Sequence, residues 1–450
     1  MFTSRPARLA IGLFAAAAAV AVAAALATEG PASGSPLAPR VSSGSVPFTY
    51  QVLRQDVIIN ADIWNLKPEM MAAGLGFTRI VGVPGLSTSD VPLSRTQAIL
   101  ADGTWNTVRC ANGQTPPLAS FTSAVTPALV RVTYGQNVYY SDGLPVEFSW
   151  PILPSALDAD DFRVQLNNGV TVTPQVVSIW PNFEYNERSV AVMFGHFGNR
   201  IPPTQPGAIY PTSVTVVRGS SVLKLVGPHQ RIVSAVGFSV RTPGSPYTAP
   251  GVPPSKRGGP TLVAAKLSLM SALGNTGPPI FRQNLPNSGV SLYGRQARFR
   301  LRMYTSGGMT PDGVTPLLPT DYDKYFRVDA VTSSGKIVRL TQAGKTYYID
   351  GQPLRVVGLA NLGRKQASYD DCYTEVRNNY IDIVLDGSEA AARRITTVEI
   401  PSTGRYKPLY NPGGPGNNPA PGVRYTAPSP PIAEHVMIAL DNPLTVTYRA

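Results

Sequence analysis

The stretch WPNFEYNERSVAVMFGHFGNR, Trp180 to Arg200, carries the highest density of reactive side chains in the 450-residue sequence. It holds two carboxylates three residues apart, Glu184 and Glu187, and His196, one of only 3 histidines. Histidine is the commonest acid–base residue, and two carboxylates flanking a scissile bond are the equipment of a glycosidase. Glu184, Glu187 and His196 are therefore the catalytic candidates if the chain is a hydrolase acting on polysaccharide. A turn whose glutamates pair with Arg188, followed by a half-buried edge strand, explains the same residues without chemistry. The histidines lack metal-ligand spacing such as HExxH, and the sequence has no P-loop, nucleophile elbow or dinucleotide fingerprint. Most enzyme classes are disfavoured on this ground, and no cofactor is implied.

A second constellation is ARFRLRMY, residues 297 to 304. Successive strand side chains point to opposite faces. Arg298, Arg300 and Arg302 then share one face, with Phe299, Leu301 and Met303 on the other. Arginines spaced about 7 Å apart along a strand match the repeat of an anionic polysaccharide, and guanidinium favours bidentate carboxylate contacts. These three are the ligand-binding candidates, with an anionic polysaccharide or a cell-surface component as partner. The plainer reading is the wet side of a half-buried strand, whose row of charge is neutralised by acidic neighbours.

Two clusters remain. Asp158, Asp160 and Asp161 present hard oxygen ligands at short spacing, as calcium requires, but the EF-hand pattern is missing and aspartate favours turns by bonding its own backbone. Cys110 and Cys372 are the only cysteines. Two are too few for a structural zinc site, which leaves either a disulfide closing a long loop or two separate buried thiols.

The elements that position these groups are strands. Hydrophobic residues make up 43% of the chain and charged ones only 15%, while 44 prolines and 41 glycines supply turns. Charged content lies well below the average of about 25%. Short runs rich in Val, Phe, Tyr and Thr, such as ALVRVTYGQNVYY, DFRVQL, SVAVMFGHF and NYIDIVLD, are divided by Gly, Asn, Pro and Asp. Helical patterns are scarce, the best being LKPEMMAAG (66 to 74) and SEAAARR (388 to 394). The expected fold is all-β, a tandem of immunoglobulin-like β-sandwich modules with long Pro/Gly-rich loops and little helix.

An internal repeat supports the tandem. Pro151, Leu153, Pro154, Phe162, Arg163 and Val164 match Pro316, Leu318, Pro319, Phe326, Arg327 and Val328, each set preceded by Asp-Gly. YTAPGVPP from Tyr247 and YTAPSPP from Tyr425 form a further echo. By that echo, residues 261 to 270 are expected to close the first module. The expected organisation is a signal peptide over 1–27, a flexible segment over 28–45 and a small β-rich unit over 46–130. A first sandwich over 131–275 and a second over 276–450 follow.

The leader combines Arg5 and Arg8, an apolar run from Leu9 to Ala27 and a small-x-small site at Ala25 to Ala27, the pattern of a secretory signal. Its cleavage leaves no stable membrane span. The expected location is secreted, periplasmic or at the cell surface. The formal charge of +12 suits an anionic partner. Nucleic acid is disfavoured by the address and by the absence of an RRM signature. Two functions therefore stand: an exported noncatalytic binding, adhesion, envelope or matrix protein, and, as its alternative, a secreted carboxylate-dependent hydrolase.

Overall fold

The computed structural model describes residues 46–450 apart from Arg200, Pro202, Thr204 and the segments 243–259, 272–288 and 415–431. The leader and the flexible segment assigned to residues 1–45, and the Tyr247 and Tyr425 echoes, lie outside the described residues. Three strands lead the fold: β1 (Val57–Asp62), β2 (Met70–Ala73) and β3 (Phe77–Val81). Next come β4 (Ser141–Phe148), β5 (Phe162–Leu166), β6 (Thr171–Val172), β7 (Val176–Ser178), β8 (Val190–Gly195) and β9 (Pro211–Val216). A hairpin of β10 (Lys224–Val226) and β11 (Ile232–Ser234) precedes β12 (Ser239–Arg241). Beyond it run β13 (Leu262–Leu269), β14 (Phe299–Thr305), β15 (Arg327–Val331), β16 (Ile337–Leu340), β17 (Tyr347–Ile349) and β18 (Gln352–Ala360). The chain ends with β19 (Tyr380–Gly387), β20 (Ile395–Ile400), β21 (Ile432–Ile438) and β22 (Thr445–Arg449).

One strand order is used twice. The first module has sheets β2-β4-β8-β7 and β12-β9-β5-β6. The second has β13-β14-β19-β18, extended by β17, and β21-β20-β15-β16. Lettered along the chain, each is A-B-E-D facing G-F-C-C′, the immunoglobulin arrangement with one added strand beside C. In the second module β13 and β21 also pair in parallel, which joins its two sheets into one of nine strands. The expected all-β immunoglobulin-like tandem is the fold.

The repeated sequence falls at equivalent places. Phe162 and Val164 on β5, and Phe326 and Val328 at β15, are fully buried in their own cores. Asp161 and Asp321 each accept a backbone N–H from three residues upstream, at 3.1 and 3.0 Å, closing the turn before the C strand.

Three local expectations are corrected. Residues 261–270 supply β13, the first strand of the second module, paired with β14. Residues 66–74 form a loop and β2 rather than a helix. ALVRVTY folds as a helix, Pro127–Tyr134, because capping outweighs its β-branched content. Thr126 accepts the Leu129 N–H at its start, Pro127 opens the first turn, and Gly135 closes it at φ 89°.

Nor do residues 46–130 pair only among themselves. β2 and β3 pair with β4, and β1 pairs with the terminal β22, clasping the two ends of the fold. Residues 104–123 then cross to the second module. Thr104 Oγ1 donates to the Gly413 carbonyl at 2.9 Å, and Cys110 is disulfide-bonded to Cys372 with their Cα atoms 5.4 Å apart. Among the described residues no helix is long and apolar enough to cross a membrane.

Candidate functional site

The outer faces of the two A-B-E-D sheets pack against each other. On β8, Ala191 and Met193 point into the first core, while Val190, Val192 and Phe194 point outward and are equally buried. On β14, Phe299, Leu301 and Met303 enter the second core. The opposite face presents Arg300, Arg302 and Tyr304. Trp64, Tyr304 and Tyr380 stack there in sequence, with ring centroids 4.8 and 5.1 Å apart, inside an apolar cluster drawn from both modules.

The arginine row is thus divided. Arg298 is exposed, its guanidinium donating to the Gly387 carbonyl at 2.5 Å. Arg300 and Arg302 are buried, at 6% and 0% exposure. Arg302 holds Asp382 through two parallel bonds of 2.7 and 3.1 Å, the bidentate fork that guanidinium favours. Its remaining amine reaches Asp62 at 3.2 Å, and Arg300 reaches the same carboxylate at 3.0 Å. Lys266 completes the group, 2.5 Å from Asp62, and also donates to the carbonyls of Pro443 and Leu444. Lys266, Arg302 and Asp382 lie in register across β13, β14 and β19. Two of the three arginines assigned to a ligand, Arg300 and Arg302, therefore engage the internal carboxylates of Asp62 and Asp382 on a covered face.

Charge is tuned accordingly. Burial alone would raise the Asp62 carboxyl, but Arg300, Lys266 and Arg302 hold it well below the usual carboxylate range. Burial lowers Lys266 to about 8 against the opposing pull of Asp62. Arg302 is raised, since Asp382 and Asp62 outweigh its own desolvation.

Glu184 and Glu187 face this network from the first module, both fully buried. Glu187 accepts the side-chain amides of Asn361 and Asn378 at 2.7 and 2.8 Å, both from the second module. Among the described residues neither oxygen of Glu184 has a hydrogen-bond partner. Burial raises Glu187 to about 7, and burial together with the Glu187 charge raises Glu184 well above its ordinary value. Asn379 donates to Glu147 at 2.9 Å, and Tyr304 donates to the Ser189 carbonyl at 2.7 Å, both across the module boundary. Closed in this way, both glutamates are shut off from solvent. His196 lies elsewhere, exposed beyond the end of β8 and beside Asp142, so the three catalytic candidates do not converge. The partners Asn361, Asn378, Asn379 and Asp382 went unnoticed in the sequence. A single charge inside the apolar run YIDIVL was the available signal.

The aspartate cluster performs turn work. Asp158 and Asp161 form a reciprocal capping box, and Asp160 accepts from the Ser220 backbone at 2.7 Å. Among the described residues no group of three or more His, Cys, Asp or Glu is arranged to hold a metal ion. A polar cleft of about 240 Å³ separates residues 106–120 from the second module, with Asn106, Ser120, Asp312, Thr315 and Asp371 on its walls. Asp312 there already accepts four hydrogen bonds, from Asn106, Val314 and both the backbone and hydroxyl of Thr315.

No family model matches the sequence, and no curated protein matches it. A crystal structure of a tetra-tandem repeat in the extending region of a large adhesion protein aligns with 60% of this chain and 43% of its own length. The identity is 8% and the TM-score 0.12, too low to indicate a common fold, and this chain spans less than half of that one.

Proposed function

We propose that the chain is an exported, noncatalytic protein that acts as a rigid two-module binding or adhesion element at the cell surface or in a surrounding matrix. One observation carries the reading: the side chains best suited to chemistry, Glu184, Glu187, Arg300 and Arg302, are all buried between two copies of one immunoglobulin-like module. A disulfide between Cys110 and Cys372 supports an oxidising compartment, where such bonds persist. Contact with an anionic polysaccharide then falls to exposed cations, with Arg298 the member of the row still in solvent.

A glycan array run beside a polysaccharide hydrolysis screen on the mature protein tests this. The expected result is retention on anionic glycans, weakened by salt and by Arg298→Glu, without turnover. Turnover that disappears in Glu184→Gln or Glu187→Gln would overturn it.

A further inference from the structure

A carboxylate in a dry interface with no hydrogen-bond donor is far costlier ionised than protonated. Glu184 meets that description: it is fully buried, and both its oxygens lack a partner among the described residues. No cation bonds it among the described residues, although Arg188 keeps one buried amine, Nη2, without a partner. Arg302 is taken by Asp382 and Asp62, while Arg188 donates to the carbonyls of Val57 and Asn182. Glu187 sits beside it with two amide donors and Arg302 only at 4.0 Å.

We propose that Glu184 and Glu187 form a proton-dependent lock between the two modules, closed when the pair holds a proton and strained open when both carboxyls ionise. The pair lies on the loop before β8, and what faces it belongs largely to the other module. From that side come Arg302 and Tyr304 on β14, Asp382 and Tyr380 on β19, and Asn361, Asn378 and Asn379 beside β18 and β19. Asp62 on β1, Lys266 on β13 and Arg300 on β14 lie behind Arg302. Arg188 and Glu147 face the network from the first module. Lys266, Arg300, Arg302 and Arg188 match Asp62, Asp382 and the two glutamates in number, but among the described residues no donor reaches Glu184. An ionised Glu184 is therefore left unsolvated, a cost that parting of the faces relieves by admitting water.

The sign follows from the direction of the shifts. Both groups titrate higher in the folded chain than unfolded, so their stabilising contribution is complete below the ordinary glutamate range. It is lost as pH rises through about 7, where Glu187 titrates. Hydrogen exchange of the Asn379 amide, which donates to Asn182 Oδ1 across the module boundary, reads opening directly in the full chain. After correction for intrinsic exchange, protection is expected to fall at least tenfold from pH 5.5 to 8.5. Glu184→Gln, which loses no hydrogen bond, is expected to abolish most of that fall. Equal protection at the two pH values, or an unchanged fall in Glu184→Gln, overturns the lock. Should that variant fail to fold, infrared difference spectra of the wild type and of Glu187→Gln decide, since Glu147, Asp142 and Glu375 are also buried and raised. A buried protonated carboxyl band lost between pH 6 and 8.5 in the wild type and altered in Glu187→Gln supports the proposal, and identical spectra overturn it.

Discussion

Arg298 and Arg302 lie on the same side of one strand and differ wholly in what they meet. Arg302 is fully buried with three polar bonds to two carboxylates. Removing one partner of such a group strands the others without solvent. Arg302→Ala is therefore expected to cost about 3–5 kcal/mol, whereas Arg298→Ala should stay within about 0.5 kcal/mol; urea unfolding measures both. The alternation of this strand was legible in its sequence, since pleating dictates which side chains share a face. What covers that face was not. That knowledge requires Asp62, Lys266 and Asp382, which lie 240, 36 and 80 residues away from Arg302 along the chain. Single charges set in apolar runs, as in AAKLSL and YIDIVL, mark strands whose second face is also covered.

At the scale of elements, strands were legible where period and punctuation agreed, as in β5, β8, β15 and β19. The helix Pro127–Tyr134 was missed because its residues favour strands while its ends favour a helix. Thr126→Ala is expected to cost about 1 kcal/mol through the lost cap. Gly135→Ala should cost at least as much, because φ is 89° there and a Cβ would lie 2.8 Å from the Tyr50 ring. Thermal unfolding of the two variants checks these values. The proline-rich echo does not place β13, because its first copy follows strand G of its module in the chain and its second precedes it.

Across the described molecule, the β1–β22 clasp, the Cys110–Cys372 bond, the shared aromatic cluster and the buried ionic interface hold the modules together. The disulfide spans 262 residues, so Cys110→Ser with Cys372→Ser is expected to cost roughly 3–5 kcal/mol in denaturant unfolding. The duplication was readable from repeated Pro, Phe, Arg and Val. The mating of two outer sheet faces was not, because no repeat encodes a contact between copies. Burial also raises Glu147, Asp142 to about 6 and Glu375 to about 8, each partly offset by hydrogen bonds or nearby cations. Groups raised on folding stabilise most in acid and lose that effect as pH climbs through their folded values. Asp62, lowered on folding, sets the opposite limit below its ordinary value of 3.8. The melting midpoint should therefore be higher at pH 5.5 than at pH 8. The central claim is that burying this charge makes two immunoglobulin-like modules one cooperative body. Differential scanning calorimetry of the full chain at pH 5.5 tests it most directly. A single transition whose calorimetric and van't Hoff enthalpies agree is the expected result; two separate transitions, one for each module, would contradict it.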